Sequence, residues 1–224
     1  LADGDAQALD GGSLAGTAVK GRFKGETASL KSQANVSIIV LAAGSSRRMG
    51  KTNKLLLPWK ISSIIKNSVE TCIRSDAHEV SVVLGHQSAE IRNELYPLEV
   101  RFVENPSFES GMLSSIQAAI PKVSSKSDGW MVFLGDQPKI PQNLVNQLIE
   151  QFQKHHEVEK DLIVLPVCAG IRRNPVIFSR SFNQRMMAHQ GEGGKAMIDA
   201  HQDSVLEVET EDVTLFEDID TEED

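Results

Sequence analysis

Between Val36 and Pro58 the chain reads VSIIVLAAGSSRRMGKTNKLLLP. A β-branched, apolar run (Val36, Ile38, Ile39, Val40) stops abruptly at Ala42-Ala43-Gly44, and a small, basic stretch follows: Gly44, Ser45, Ser46, Arg47, Arg48, Gly50, Lys51 and Lys54. A continuous hydrophobic run is the mark of a parallel strand buried on both faces. Ligands of open α/β sheets sit beyond the carboxyl ends of such strands. Small residues let backbone N–H groups approach a phosphate, and fixed cations neutralise its charge. The segment therefore predicts a phosphate-handling loop suited to a nucleoside triphosphate. It lacks the Gly-Lys-Ser/Thr close of a Walker loop and the Gly-x-Gly-x-x-Gly spacing of a dinucleotide site. The plainer reading is a solvated basic turn after a strand.

Composition narrows the partner. The chain has 224 residues, 40% hydrophobic and 24% charged, which is ordinary for one globular domain. Its formal net charge of −8 argues against a general electrostatic grip on nucleic acid. Local positive charge in a negative protein fits a small anionic ligand. Cys72 and Cys168 make no CxxC unit, so neither a zinc site nor a disulfide framework is expected. Cys72 lies in an apolar helical pattern and reads as core; Cys168 follows the run Ile163–Val167, on the expected substrate side. The start LADGDAQALD is no signal peptide, and no apolar run approaches membrane-spanning length. A cytoplasmic protein without membrane contact is the expectation.

Residues 1–35 are rich in Gly, Ala and Ser without a hydrophobic period, and predict a flexible or loosely docked extension. The domain proper is expected over 36–224. Strand-like runs fall at Val36–Leu41, Glu79–Leu84, Glu99–Glu104, Gly129–Leu134, Asp161–Val167, Pro175–Phe178 and Ser204–Val208. Helical patterns alternate with them at Ile61–Ser75, Ser88–Leu95, Met112–Ile120, Pro141–His155 and Lys195–Ala200. This alternation predicts an α/β fold, Rossmann-like, with three α/β/α layers around a mostly parallel sheet.

A second element closes the run Gly129–Leu134: Gly135-Asp136-Gln137-Pro138. A carboxylate past a central strand can hold Mg²⁺, which takes one or two carboxylates together with phosphates and water. Asp136 also suits a plain β-turn with Pro138 nearby, and the two readings stay open here. The acidic tail Asp218-Ile219-Asp220-Thr221-Glu222-Glu223-Asp224 reads either as a solvated end or as a further carboxylate source.

The pattern Leu-Ala-Ala-Gly-x-Ser-x-Arg-Met-Gly, followed by Lys54 and Leu-Leu-Pro, resembles the signature of nucleotidyltransferases with a Rossmann-like fold. The resemblance covers about Val36 to Asp224. It narrows to the group that matures the molybdenum cofactor, in its cytidylyl-transferring form. Four segments carry this: LAAG with Ala43 where guanylyl-transferring relatives have a second Gly; Leu134-Gly135-Asp136-Gln137-Pro138; Asn105-Pro106 with Gly111-Met112-x-x-Ser115; and Arg172-Arg173-Asn174-Pro175-Val176. The Ala43 methyl would crowd the base site and favour the smaller pyrimidine.

The resemblance implies transfer of a cytidylyl group from CTP to the phosphate of molybdenum-molybdopterin, with Mg²⁺ (or Mn²⁺) as cofactor and a molybdoenzyme or its chaperone as a further partner. Nucleotide contacts are implied for Leu41, Ala42, Ala43, Gly44, Ser45, Ser46, Arg47, Arg48, Met49, Gly50, Lys54, Gly85 and Gly135. Arg48, Lys54 and Asp136 are the implied catalytic groups, and Asp136 with Asp220 the metal ligands. Arg172, Asn174, Pro175 and Lys195 would bind the acceptor, with Arg173 beside them and His86 near the base; the plain alternatives are surface charges and a loop histidine.

Three departures from the family pattern stand out: no Gly-containing turn after Pro58, Arg173 in place of a Gly, and an end within the final acidic motif. Two other functions fit the same residues. One is nucleotidyl transfer to a different acceptor, by guanylyl transfer to molybdopterin or to a sugar or polyol phosphate. The other is a non-catalytic nucleotide-binding module.

Overall fold

The computed structural model describes residues 33–45, 53–191 and 193–217, together with the two-residue strand Val19–Lys20. In chain order the elements are β1 (Val19–Lys20), β2 (Val36–Ala42), β3 (Pro58–Trp59), β4 (Ser62–Ser63), α1 (Ile64–Arg74), β5 (Glu79–Leu84), α2 (Ser88–Leu95), β6 (Arg101–Glu104), α3 (Met112–Ala119), β7 (Gly129–Leu134), α4 (Gln142–His155), β8 (Ile163–Cys168), β9 (Ile171–Arg172), β10 (Val176–Ser179), α5 (Asn183–Ala188), α6 (Gly193–Ala200) and β11 (Val205–Thr210). The main sheet runs β1-β11-β8-β10-β7-β2-β5-β6, with β9 paired to β8.

β6, β5, β2 and β7 are mutually parallel, and β11 is parallel to β8. β10 lies antiparallel between β7 and β8. Two reversals restore direction, so the carboxyl ends of β2, β5, β6, β7, β8 and β11 share one edge. That edge is where an open α/β sheet receives its ligand.

The period-2 geometry of strands divides the core in two. On one face Ile38, Val40 and Ala42 of β2 and Met131 and Phe133 of β7 pack against α1, α2 and α4. On the other, Ile39, Ala43, Trp130 and Val132 pack against α3, α5 and α6. Burial on both faces explains why β2 is a nearly continuous apolar run. The expected three-layer α/β fold is what the chain adopts. Among the described residues no helix is long and apolar enough to cross a membrane.

The helix expected from Ile61 starts instead at Ile64. Residues 58–63 form a tight hairpin, β3 pairing antiparallel with β4, with Lys60 at φ +54° in the turn. The turn after Pro58 is therefore made by a lysine and not by a glycine. Ser63 ends the hairpin and caps α1, its hydroxyl accepting from the Lys66 N–H. The strand expected from Glu99 begins at Arg101, and the one expected from Asp161 begins at Ile163. α5 and the β8–β9 hairpin had no periodic signal. Most of the 1–35 extension lies outside the described residues; within it, Val19–Lys20 pair antiparallel with Val208 and Glu207 of β11.

Candidate active site

At the end of β7 a β-turn carries Asp136, closed by the Gln137 N–H donating to the Leu134 carbonyl at 3.2 Å. Gly135 is required there by close approach. Its N–H donates to the Leu41 carbonyl at 3.0 Å, and a Cβ would stand 2.8 Å from that oxygen. The turn reading and the site reading of Asp136 thus coexist: the turn presents the carboxylate, and Lys54 Nζ meets its Oδ2 at 3.2 Å. The Lys54 side chain is only 12% exposed and that of Asp136 35%.

Lys54 opens a short 3₁₀ turn, Lys54–Leu56. The turn is capped by the buried Asn53, whose Oδ1 accepts from the Leu55 N–H at 3.1 Å. This cap is what aims Lys54 across the edge of the sheet. The Asn before Lys-Leu-Leu was the available sequence signal for it.

Ala42 and Ala43 at the end of β2 are buried, whereas Gly44 is exposed with open space around it. Ser46, Arg47, Arg48, Met49 and Gly50 lie outside the described residues, as does Asp220. Beside Ala43 the chain leaves β5 through Gly85, and the His86 N–H donates to the Ala43 carbonyl at 3.2 Å. A Cβ on Gly85 would stand 2.6 Å from Phe108 Cβ and 2.8 Å from Ala43 Cβ, so only glycine fits between them. Asn105, in the Asn105-Pro106 segment that carried part of the resemblance, is buried and has its amide engaged inside the protein. Its Nδ2 donates to the Ser114 and Ser115 hydroxyls, both at 2.9 Å, and its Oδ1 accepts from the Ser107 N–H. It ties the end of β6 to the start of α3.

On the α3/α6 side of the sheet lies a cavity of about 1050 Å³, at the upper end of small-molecule sites. Val132, Leu165, Val176 and Phe178 give it apolar walls, and Arg172, Asn174 and Lys195 line it. β7 supplies both Val132 to this wall and, four residues on, Asp136. Of the four expected acceptor residues the cavity gathers three; Pro175 is buried behind a cis bond to Asn174.

Arg172 is positioned by the β8–β9 hairpin, whose two turn residues, Ala169 (φ +51°) and Gly170 (φ +75°), take the left-handed values a type I′ turn requires. Its charge is already met: Arg172 Nε donates to Glu207 Oε1 at 2.8 Å. Glu207, on the last strand, carried no motif that would have flagged it. Arg173 also lines the cavity, and its guanidinium lies 5.8 Å from the Phe216 ring centroid. Both cysteines are buried, and burial pushes the Cys72 thiol far up, as befits a core residue.

Among the described residues no group of three or more His, Cys, Asp or Glu could enclose a metal ion. A single partly exposed carboxylate at the carboxyl edge of the sheet suits a hard cation that takes one carboxylate and completes its shell with phosphate oxygens and water. Asp136 therefore fits a metal shared with a nucleotide rather than one caged by protein.

A profile of the MobA-like NTP transferase domain matches residues 38–205. The molybdenum cofactor cytidylyltransferase of Escherichia coli K12 is 30% identical over 151 residues, covering 65% of this chain and 70% of that one. A nicotine blue oxidoreductase of Paenarthrobacter nicotinovorans is 34% identical over 116 residues, 51% of this chain and about half (55%) of its own length. Among solved structures, Rv0371c from Mycobacterium tuberculosis H37Rv superposes with a TM-score of 0.73 at 22% identity, covering 85% of this chain and 95% of that one. A second structure of that protein, a complex with manganese, superposes with a TM-score of 0.66 at 19% identity over 81% and 90% of the two chains. These likenesses support the shared fold.

Proposed function

The chain belongs to the MobA-like NTP transferase family, and on that footing we propose that it transfers a cytidylyl group from CTP to the phosphate of molybdenum-molybdopterin, releasing pyrophosphate. The observation that carries this reading is the Lys54–Asp136 pair at the carboxyl edge of the sheet, its carboxylate in the turn that follows β7, the strand that also walls the cavity lined by Arg172, Asn174 and Lys195. The Ala43 of LAAG, the Gly135-Asp136-Gln137-Pro138 turn and the E. coli relative support cytidylyl over guanylyl transfer.

An oxygen of the acceptor phosphate attacks the α-phosphorus of CTP in line. The bond from that phosphorus to the bridging oxygen breaks, and pyrophosphate leaves with the electron pair. The attacking phosphate is already ionised at neutral pH, so no general base is needed. Positioning and charge stabilisation carry the rate. Backbone amides from Ala43 onward cradle the triphosphate, while Lys54 and Arg48 balance charge on the five-coordinate phosphorus and the leaving group. Arg172, Asn174 and Lys195 hold the acceptor against the apolar walls, which keep water from competing. Asp136, with Asp220, would hold Mg²⁺ or Mn²⁺, which when bound supplies Lewis acidity and a template for the phosphate oxygens.

The test is purified protein with each of CTP, GTP, ATP and UTP plus molybdopterin, read by pyrophosphate release. CTP should be turned over fastest. Faster release with GTP, or with a sugar phosphate as acceptor, would overturn the reading.

A further inference from the structure

The turn that carries Asp136 is tied to the segment that carries Lys54 at two points. One is the contact between those two side chains. The other lies further along the turn, where Asn67 of α1 donates from Nδ2 to the Pro138 carbonyl at 2.8 Å. That bond is shorter than the two within the turn itself, Gln137 N–H to the Leu134 carbonyl at 3.2 Å and Ile140 N–H to the Gln137 carbonyl at 3.3 Å. Asn67 is half-buried at this junction.

Lys54 and Asn67 belong to one piece of backbone. The 3₁₀ turn Lys54–Leu56 ends at Leu57, whose carbonyl accepts at 3.0 Å from the N–H of Ile64, the first residue of α1. α1 then sets Ile65 against Gly135, where a Cβ would stand 2.8 Å from Ile65 Cδ1, and Asn67 against Pro138. A third contact with the turn is of another kind. Lys139 Nζ meets Glu217 Oε2 at 2.8 Å, but these side chains are 25% and 56% exposed, and solvent screens such a pair.

Resting on the nucleotidyl-transfer reading above, we propose that Asn67 is a positioning residue, holding the backbone behind Asp136 while the carboxylate exchanges Lys54 for the metal. The two ties do not serve equally through the reaction. Once Lys54 serves the phosphates and Asp136 the cation, their mutual attraction no longer holds the turn. The bond from the Asn67 amide to the Pro138 carbonyl joins neutral groups and is indifferent to that exchange of partners. Groups behind a metal ligand set its aim, and their loss costs roughly 10–100-fold in metal affinity or activity.

The experiment measures Mn²⁺ binding to the full chain with CTP present and no acceptor, from the paramagnetic resonance of free Mn²⁺, for wild type, Asn67→Ala, Asn67→Leu and Glu217→Gln. Melting temperature, kcat and the KM for CTP are measured on the same preparations. Ala and Leu are better helix formers than Asn, which offsets part of the lost bond, so both Asn67 variants should melt near wild type. Both should bind Mn²⁺ about tenfold more weakly and lose a similar factor in kcat, with the KM for CTP little changed. Glu217→Gln, on the exposed tie, should bind Mn²⁺ like wild type.

Wild-type Mn²⁺ affinity in both Asn67 variants overturns this inference while leaving the nucleotidyl-transfer reading standing. Equal losses in all three variants, or a fall in melting temperature large enough to account for the lost activity, would make the Asn67 bond an ordinary contact of the fold and overturn it as well. A wild type that adds no Mn²⁺ binding to that of CTP itself overturns both this inference and the metal role of Asp136.

Discussion

Lys54 and Asp136, separated by 82 positions in the chain, meet with Nζ 3.2 Å from Oδ2 where the ends of β2 and β7 converge. The lysine is nearly enclosed and the carboxylate is not. The pair therefore opens to solvent on the carboxylate side, the side from which a phosphate-bound cation would approach.

Lys54→Ala should accordingly do two things. A fully exposed charge pair is worth about 0–1 kcal/mol, but this lysine is mostly covered, so a loss of about 1 kcal/mol is expected after allowing for the exposed partner. Loss of a contact that strengthens in the transition state costs roughly two to three orders of magnitude in rate. Single-turnover rate should fall much further than CTP affinity. Equal losses in both would make Lys54 a ground-state binding residue only.

Asp136→Asn keeps a hydrogen-bond acceptor for Lys54 and the shape of the turn, so the melting temperature should stay close to wild type. One negative ligand for a hard cation disappears, and turnover should drop by roughly two orders of magnitude or more. Normal turnover at limiting Mg²⁺ would remove Asp136 from the metal site.

Asn53 caps the turn that aims Lys54. Replacing such a cap by Ala costs about 1 kcal/mol. In Asn53→Ala turnover should fall as well, through misplacement of Lys54, while Asn53→Asp, which keeps the accepting oxygen, should recover most of both. Thermal melts and pyrophosphate release on the same preparations separate the two effects.

Arg172 reaches the cavity already paired with Glu207. Arg172→Ala and Glu207→Ala should both raise KM for the phosphorylated acceptor, by roughly tenfold for the arginine, as for a lost charged hydrogen bond. CTP affinity should not change in either. A matching loss of CTP affinity would put the pair on the nucleotide side.

Lys60 holds a positive φ in the β3–β4 turn, a conformation that costs L-residues about 1 kcal/mol. Lys60→Gly should raise stability by up to about 1 kcal/mol, seen as a melting shift of roughly 2–4 °C for a domain of this size. A lower melting temperature would mean that the lysine side chain, not the backbone, holds the hairpin.

The alternation of strands and helices was legible because β2, β5, β7 and β8 are buried on both faces and α1 and α4 on one, so their periods of hydrophobicity are strong. The two tight hairpins were not, because Lys60 and Ala169 sit where turn patterns lead one to expect Gly or Asn. Asn105 shows the limit of a motif. It lies in a segment that helped carry the family resemblance, and in the fold its amide bonds to Ser107, Ser114 and Ser115.

Local order in the chain determined the fold class and the turn that carries Asp136 after β7, since each depends on neighbours within a few residues. Tertiary structure alone decided that Lys54 faces Asp136, that Glu207 meets Arg172, and that the Ala43 methyl lies covered beside Gly85 and Phe108. Those relations depend on which strands become neighbours and in what register, and hydrophobic periodicity along one segment carries no record of the segment that will lie beside it.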